Sequence, residues 1–350
     1  MEKILILVPF LSGNGGTETV LKMVLGNKKF LRESAVIDVF IMGSGNNKNW
    51  AAKVSSNVNV NFLSKNKLFQ FINLGKLLTT GNYSCVICLS TTLLFLTSTF
   101  RKTFRLKFKL MSWIHFSLIS EKTVNVNKLR LADINLVISS GIFKQFKKLG
   151  IPERKLRLVY NPVAPQSGTV SENKDTDVLK LVYVGRITLD GQKNLRELFY
   201  ALKKVTKINV LLHIYGAGEI SKCKEVIRDM GIEHKIIWHG WVKKPWEDID
   251  NIDALVLTSK YEGFPMTLLE ALSHGVPVIS SNCPTGPEDI VTKSNGFLYK
   301  MGDSEELSLI LENFKEEFST SHEKLKNTIA KFYVNEYIET LNKAILEENG

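Results

Sequence analysis

Apolar and polar positions fall along this chain in two alternating series. In the first, short and nearly continuous apolar runs at residues 3–9, 35–42, 58–62, 85–89, 109–114 and 134–138 read as strands. Such runs are expected of parallel strands covered on both faces. Residues 18–25 follow the first run with helical spacing. A second series begins at Leu179, with strands predicted at 180–184, 210–215, 235–238, 254–258 and 277–280. A helix is predicted over 265–274. Proline is tolerated in a first turn, Gly275 suits the position after the helix, and Pro277 prevents continuation. The last helix is predicted over 322–347. Between the series, residues 161–177 hold Pro162, Pro165, Ser167, Gly168 and Ser171 and few large apolar side chains, a linker composition.

Strands separated by helices imply right-handed, doubly wound parallel sheets. The fold class is therefore α/β, with two Rossmann-like domains at 1–163 and 179–320 and a linker at 164–178. A C-terminal helix over 321–350 is free to pack back toward the first domain. Ligands of open sheets sit beyond the carboxyl ends of the strands, so a cleft between two facing domains is the expected site.

Composition agrees. The 350 residues are 44% hydrophobic and 23% charged. That is ordinary for two globular domains and excludes a disordered chain, a collagen-like fibre and a small disulfide scaffold. Cys85 and Cys88 form a C-x-x-C without a second pair. On a strand they point to opposite faces, so they read as core residues rather than a zinc or redox pair. Four sparse cysteines suit a reducing compartment. The apolar run at 4–8 is too short for a signal peptide and lacks a cleavage site, so a cytoplasmic protein is expected. Residues 77–100 carry no charge, but Thr79, Asn82, Ser84, Ser90, Thr97 and other small polar residues interrupt them. They read as a buried strand and a short helix, not a membrane span.

The net charge of +11 divides unevenly, +17 over residues 1–165 and −6 over the rest. The densest basic cluster is Arg101, Lys102, Arg105, Lys107 and Lys109, interleaved with Phe104, Leu106 and Phe108. It is either an ordinary exposed loop or a segment suited to an anionic membrane surface.

Three motifs carry candidate chemistry. Gly15 and Gly16 close the turn Ser12-Gly13-Asn14-Gly15-Gly16-Thr17 after the first strand. The turn is neither G-x-G-x-x-G nor a P-loop. It is a plain tight turn, or one that brings backbone N–H groups close to a ligand. Arg186 follows Gly185 at a strand end, with Lys193 beyond the turn at Gly191. They are solvated surface charges or a clamp on a diphosphate. The third motif is Glu262-Gly263-Phe264-Pro265-Met266-Thr267-Leu268-Leu269-Glu270. Its helix start offers N–H groups to phosphate. Glu262 in the loop and Glu270 in the helix can accept hydrogen bonds from sugar hydroxyls.

Glu262 and Glu270 form E-x7-E, which with Gly185-Arg186 and Lys193 resembles glycosyltransferase family 4. The resemblance extends to Gly15-Gly16, Trp113-Ile114-His115, Asn161-Pro162-Val163 and Tyr215-Gly216-Ala217-Gly218-Glu219. From Gly240-Trp241 to Asp289 it is similar to enzymes that build surface polysaccharide. It implies the GT-B fold and a retaining, metal-independent transfer of a hexose from a nucleotide sugar, UDP-linked and of galactose or glucose type. The acceptor would be a glycan or lipid-linked glycan. Arg186 and Lys193 would bind the donor diphosphate, Glu270 the ribose and Glu262 the donor sugar. Gly263, Phe264, Pro265, Met266 and Thr267 would line the donor site, and Gly240 and Trp241 would lie by the base. Gly15 and Gly16 would approach the donor from the first domain. His115, on its own more often a structural histidine, would sit near the transferred sugar. The chain departs from the family's commoner form at Pro265, where a small or polar residue is frequent.

The resemblance implies no metal and no cofactor. Asp248-Ile249-Asp250 lies in a polar connecting segment and makes no Asp-x-Asp site. The expected partners are the nucleotide sugar, the acceptor and an anionic membrane surface, with attachment to the inner face of the cell membrane. Two other readings remain at this level: a nucleotide-sugar 2-epimerase of the same fold, and a nucleic-acid-binding protein suggested by the charge. No RRM, KH or helix-turn-helix signature accompanies the second.

Overall fold

Among the described residues every strand ladder is parallel, and the strands Cys85–Cys88, Ile134–Val137, Ala254–Leu257 and Val278–Ser281 are buried along their whole length. That is why the strands read as unbroken apolar runs rather than alternating ones. The computed structural model describes residues 2–11, 15–31, 35–43, 54–63, 66–118 and 124–347. Ser12, Gly13 and Asn14 of the first glycine-rich turn lie outside the described residues. The chain divides into two units, Met1–Val163 with Lys331–Gly350, and Ala164–Ala330.

The first unit contains β1 (Glu2–Val8), β2 (Ala35–Ile41), β3 (Val58–Phe62), β4 (Cys85–Cys88), β5 (Lys109–Trp113), β6 (Ile134–Val137) and β7 (Leu156–Leu158). They are ordered β3-β2-β1-β4-β5-β6-β7. Its helices are α1 (Gly16–Gly26), α2 (Lys67–Thr80), α3 (Thr91–Thr103) and α4 (Ser140–Lys148). The second unit contains β8 (Val178–Val184), β9 (Asn209–Tyr215), β10 (Ile236–Gly240), β11 (Ala254–Leu257), β12 (Val278–Ser281) and β13 (Gly296–Tyr299), ordered β10-β9-β8-β11-β12-β13. With them go α5 (Leu195–Lys204), α6 (Ile220–Met230), α7 (Pro245–Asp248), α8 (Met266–Ser273), α9 (Pro287–Ile290), α10 (Ser304–Glu317) and α11 (His322–Asn327). In both sheets the strand order reverses beside the first strand, between β1 and β4 and between β8 and β11. Such switch points open a crevice at the strands' carboxyl ends.

The predicted strands are present, and two short edge strands, β7 and β13, join them. The single helix predicted over 322–347 is broken. α11 ends at Asn327, a 3-10 turn spans Ala330–Phe332, and a final helix, α12, runs over Val334–Leu346. The break has a tertiary cause. The Val163 N–H donates to the Phe332 carbonyl at 2.8 Å, and the Val334 N–H donates to the Val163 carbonyl at 3.0 Å. Aromatic and β-branched Phe332, Tyr333 and Val334 also favour helix weakly. α12 belongs to the first unit: Asn342 accepts from the Leu31 N–H at 3.1 Å and donates to the Lys29 carbonyl at 2.8 Å.

The basic segment 101–109 is only partly a free surface, which corrects its reading as five exposed cations. Arg101 forms a bidentate pair with Asp133 and also donates to the Phe108 carbonyl. Asp133 in turn accepts from the Leu110 N–H at 2.8 Å. Lys109 donates to the Ile345 and Glu347 carbonyls at the end of α12. Lys102, Arg105 and Lys107 are exposed, as is Phe104. No helix among the described residues is long and apolar enough to cross a membrane. Cys85 and Cys88 are buried and unpaired, and burial pushes both thiols up to about 12.

Candidate active site

The second unit gathers most of the candidate side chains at the carboxyl ends of β8 and β11. The β8 and β9 ends lie unusually close, with the Gly185 N–H donating to the Tyr215 carbonyl at 3.0 Å. A Cβ on Gly216 would lie 1.9 Å from the Gly185 carbonyl oxygen, so only glycine fits there. Tyr183, fully buried, donates its hydroxyl to the Arg186 carbonyl at 2.6 Å and fixes the backbone from which the exposed Arg186 side chain projects.

Lys193 is held from both sides. Its N–H donates to Thr188 Oγ1 at 3.0 Å, and its carbonyl accepts from Thr258 Oγ1 at 3.0 Å. Its ammonium meets Glu262 Oε1 at 2.6 Å, with the two side chains only 14% and 8% exposed. Lys193 and Glu262, expected to make separate ligand contacts, are thus a single buried ion pair. Ser259 Oγ donates to the same carboxylate oxygen at 2.6 Å, and Thr285 Oγ1 donates to the Glu262 carbonyl. Ser281 Oγ supports Ser259 through its carbonyl at 2.6 Å. The Ser259 hydrogen bond to the carboxylate offsets part of the cost of burying the pair.

After Glu262, half-buried Gly263 and buried Phe264 and Pro265 lead into α8. The helix start at Pro265 carries no side-chain cap. The Leu268 N–H donates to the Pro265 carbonyl at 3.1 Å, and the N–H groups before it have no acceptor within the helix. Thr267 Oγ1 is buried there without a hydrogen-bond partner among the described residues, while Met266 is half-buried. One turn further, Glu270 Oε2 accepts from Trp246 Nε1 at 3.3 Å, and the Trp246 ring stacks on His274 at 5.0 Å. Glu270 keeps part of its surface open. Even so, burial pushes its carboxyl up to about 7, with the indole N–H working in the opposite direction.

At the β9 and β10 ends, His239 stacks on Tyr215 at 4.1 Å and its Nε2 lies 3.0 Å from His213 Nδ1. Burial lowers the pKa of His213, and the neighbouring His239 lowers it further. Gly240, with φ +73°, passes its carbonyl to the Gly216 N–H at 2.7 Å, and Trp241 stands exposed beyond it.

Gly15, Gly16 and His115 belong to the first unit. Gly15 starts α1 without a side-chain cap, and the position a Cβ would take on Gly16 is open space. His115 follows β5 with both ring nitrogens buried. Neither nitrogen, nor Asn161 Oδ1, has a hydrogen-bond partner among the described residues. Burial pushes the His115 pKa down to about 4, opposed by the Asn161 side chain. His115 is therefore a neutral imidazole at pH 7. Its sequence neighbours Ile114 and Phe116 line a cavity of about 660 Å³, with Phe10, Leu89, Phe71 and Leu96.

Three residues around the pair and Glu270 were absent from the candidate set: Ser259, Thr285 and Trp246. Ser259 had a signal, standing three residues before Glu262. Thr285 comes from the loop after β12, 23 residues away, and nothing local marks it. Among the described residues, no group of three or more His, Cys, Asp or Glu side chains is arranged to hold a metal ion.

Residues 169–332 match the family model described as glycosyl transferases group 1. Over 98% of both chains the protein is 33% identical to the lipopolysaccharide 1,6-galactosyltransferase of Escherichia coli K12. Over 99% of both chains it is 34% identical to the enzyme of that name from Salmonella typhimurium. Its fold superposes on the apo lipopolysaccharide outer core galactosyltransferase WaaB with a TM-score of 0.87, covering 98% and 99% of the two chains at 34% identity. The Anabaena HepE structure, a complex with UDP-glucose, gives a TM-score of 0.75 at 20% identity, over 97% and 98% of the chains, and speaks to the fold alone.

Proposed function

Since the chain belongs to glycosyltransferase family 4, with the GT-B fold, we propose that it moves a hexose from a UDP-linked sugar to a membrane-proximal glycan in surface-polysaccharide synthesis. The observation that carries this reading is the start of α8. An uncapped helix, an unpartnered buried Thr267 hydroxyl and a Glu270 carboxyl that burial pushes up to about 7 stand together, beside the Lys193–Glu262 pair. Each lacks something a nucleotide sugar supplies. The diphosphate supplies acceptor oxygens for the helix N–H groups and the Thr267 hydroxyl. The ribose hydroxyls supply donors for Glu270. The exposed Trp241 ring is available to the base, and Glu262 to the sugar.

The galactosyltransferase relatives favour galactose as the hexose and a lipopolysaccharide-type acceptor. In the reaction the bond from the sugar C1 to the diphosphate oxygen breaks, and a bond from C1 to the acceptor oxygen forms on the same face. The acceptor hydroxyl proton passes to the departing phosphate. Negative charge grows on the leaving group, where Arg186, Lys193 and the α8 N-terminus stabilise it, at about 3 kcal/mol per good donor. These groups do the work a metal does elsewhere, so turnover should persist in EDTA. Neutral His115 acts as a hydrogen-bonding group near the acceptor rather than as a cation. The adjoining aromatic cavity receives the acceptor. We place the enzyme in the cytoplasm, peripherally attached to the inner face of the membrane.

The test is a panel of nucleotide sugars with the purified protein, read by UDP release and by thermal shift. A donor at a hundred times its Kd should add about 2.7 kcal/mol of stability. No UDP release from any UDP-hexose with a core-oligosaccharide acceptor, together with no thermal shift by UDP, would overturn the reading.

A further inference from the structure

Glu270 is met by Trp246, and Trp246 in turn by His274. Among the described residues, the one hydrogen bond to the Glu270 carboxylate comes from Trp246 Nε1, at 3.3 Å, and falls on Oε2. Oε1 is left open. The indole and the imidazole lie 5.0 Å apart and 11° from parallel, and both are half-buried. The imidazole thus supports the face of the indole while the edge of the indole reaches the carboxylate.

Both rings stand on backbone that is tied down. His274 ends α8, where its N–H donates to the Glu270 carbonyl at 3.2 Å and its own carbonyl accepts from the Val170 N–H at 3.0 Å. Trp246 lies in α7. Pro245 sets the start of that turn, and the Ile249 N–H closes it on the Pro245 carbonyl at 2.9 Å. Ile249 is buried, and the next residue, Asp250, accepts from Ser171 Oγ.

Indole is a donor at every pH and never an acceptor. A donor on a carboxylate favours its charged form, whereas burial of Glu270 disfavours it. The indole N–H therefore works for the state that accepts from hydroxyls. The elements packed against α8 bring other charges. Lys326 on α11 acts on His274, whose pKa is lowered first by burial and then by that lysine. Glu247 and Asp248 share α7 with Trp246, and Glu247 is paired with Lys244. Glu288 and Asp289 stand on α9.

We propose that Trp246 is a positioning residue for the nucleotide: backed by His274, its indole N–H holds Glu270 Oε2 and turns Oε1 toward the ribose hydroxyls. The inference rests on the donor reading, in which Glu270 meets the ribose. It adds that this contact depends on a side chain that need not touch the nucleotide.

The experiment is titration calorimetry with UDP, from about pH 5.5 to about 8.5, on wild type, Trp246→Phe, Glu270→Gln and the double variant. Phenylalanine keeps a ring to stack on His274 and lacks the N–H. Trp246→Phe should weaken UDP about threefold to tenfold at about pH 6.5, and the midpoint of the rise in affinity should move up by about half a pH unit or more. On the Glu270→Gln background the same change should cost less than about twofold. With UDP-galactose as donor, Trp246→Phe should raise KM more than it lowers kcat, because the ribose is remote from the breaking bond. A second readout needs no nucleotide. The Trp246 indole N–H resonance, assigned by its absence from Trp246→Phe, should show a titration step near about 7 in wild type that Glu270→Gln removes.

An unchanged UDP profile in Trp246→Phe overturns the proposal. So does an equal loss on the wild-type and Glu270→Gln backgrounds, which marks packing alone, or an indole resonance without the step near about 7. Those failures leave UDP binding by wild type in place. Failure of the donor reading looks different, since wild type then binds no UDP at any pH, and the inference falls with it.

Discussion

Glu270 enters the folded state with its carboxyl near 7 rather than at its ordinary 4.5. The folded chain therefore keeps a proton between those values that the unfolded chain has released. The stability this supplies is full below about pH 4.5 and is lost as pH rises through about 7. Ribose hydroxyls favour the charged carboxylate, so UDP affinity should rise between pH 6 and 8. Titration calorimetry should find that slope in wild type and a flat profile in Glu270→Gln. Glu270→Ala should weaken UDP and UDP-sugar alike, by about 1.5–3 kcal/mol. Arg186→Ala should instead lower turnover more than donor affinity, because the leaving-group charge is largest in the transition state.

Lys193 and Glu262 behave differently. Glu262→Ala leaves the ammonium buried and unpaired, and should cost about 3–5 kcal/mol in urea unfolding. Asp190→Asn, which breaks the exposed pair with Arg196, should cost under about 1 kcal/mol. Each of these residues was legible as a candidate from its motif. Their pairing was not, because the partners stand 69 residues apart and only the switch point between β8 and β11 brings them together.

At the scale of the element, what the sequence disclosed followed burial. β1, β4 and β11 could be read because both faces are covered and the apolar run is unbroken. β7 is a three-residue edge strand, Leu156–Leu158, with a half-exposed arginine at its centre, and offers no such run. The end of the chain was misread because helical spacing does persist across 328–333. The interruption comes from Val163, more than 160 residues earlier. α2 marks a further limit, since periodicity assigns faces and not what covers them.

Gly75 makes the packing of α2 testable. Gly75→Ala should normally favour a helix by about 0.5–1 kcal/mol. Here the added Cβ presses on Phe100, and overpacking of this kind costs about 1–3 kcal/mol. A net loss of melting temperature is expected, and Gly75→Ala with Phe100→Leu should recover it. Arg101→Gln should also lower the melting temperature, since Asp133 loses its bidentate partner.

For the molecule as a whole, the deciding feature is that the first unit is built from both ends of the chain, Met1–Val163 and Lys331–Gly350, and the second from one continuous stretch. The contacts that recruit α12 are specific: Asn335 to Asn27, Asn342 to Lys29 and Leu31, and the helix's last carbonyls to Lys109. During synthesis these contacts arrive late. Once Val163 has been added, the ribosome must still make the rest of the chain, which takes about 10–40 s at about 5–20 residues per second. For that interval the nascent first unit displays the apolar surface that Tyr337, Ile338 and Leu341 will cover. The second unit has its whole sequence available sooner. The order of maturation is thus reversed relative to the order of translation. A chain stopped after residue 330 should present a protease-resistant second unit beside a first unit that is readily cleaved, and that retains chaperones when pulled from a translation reaction.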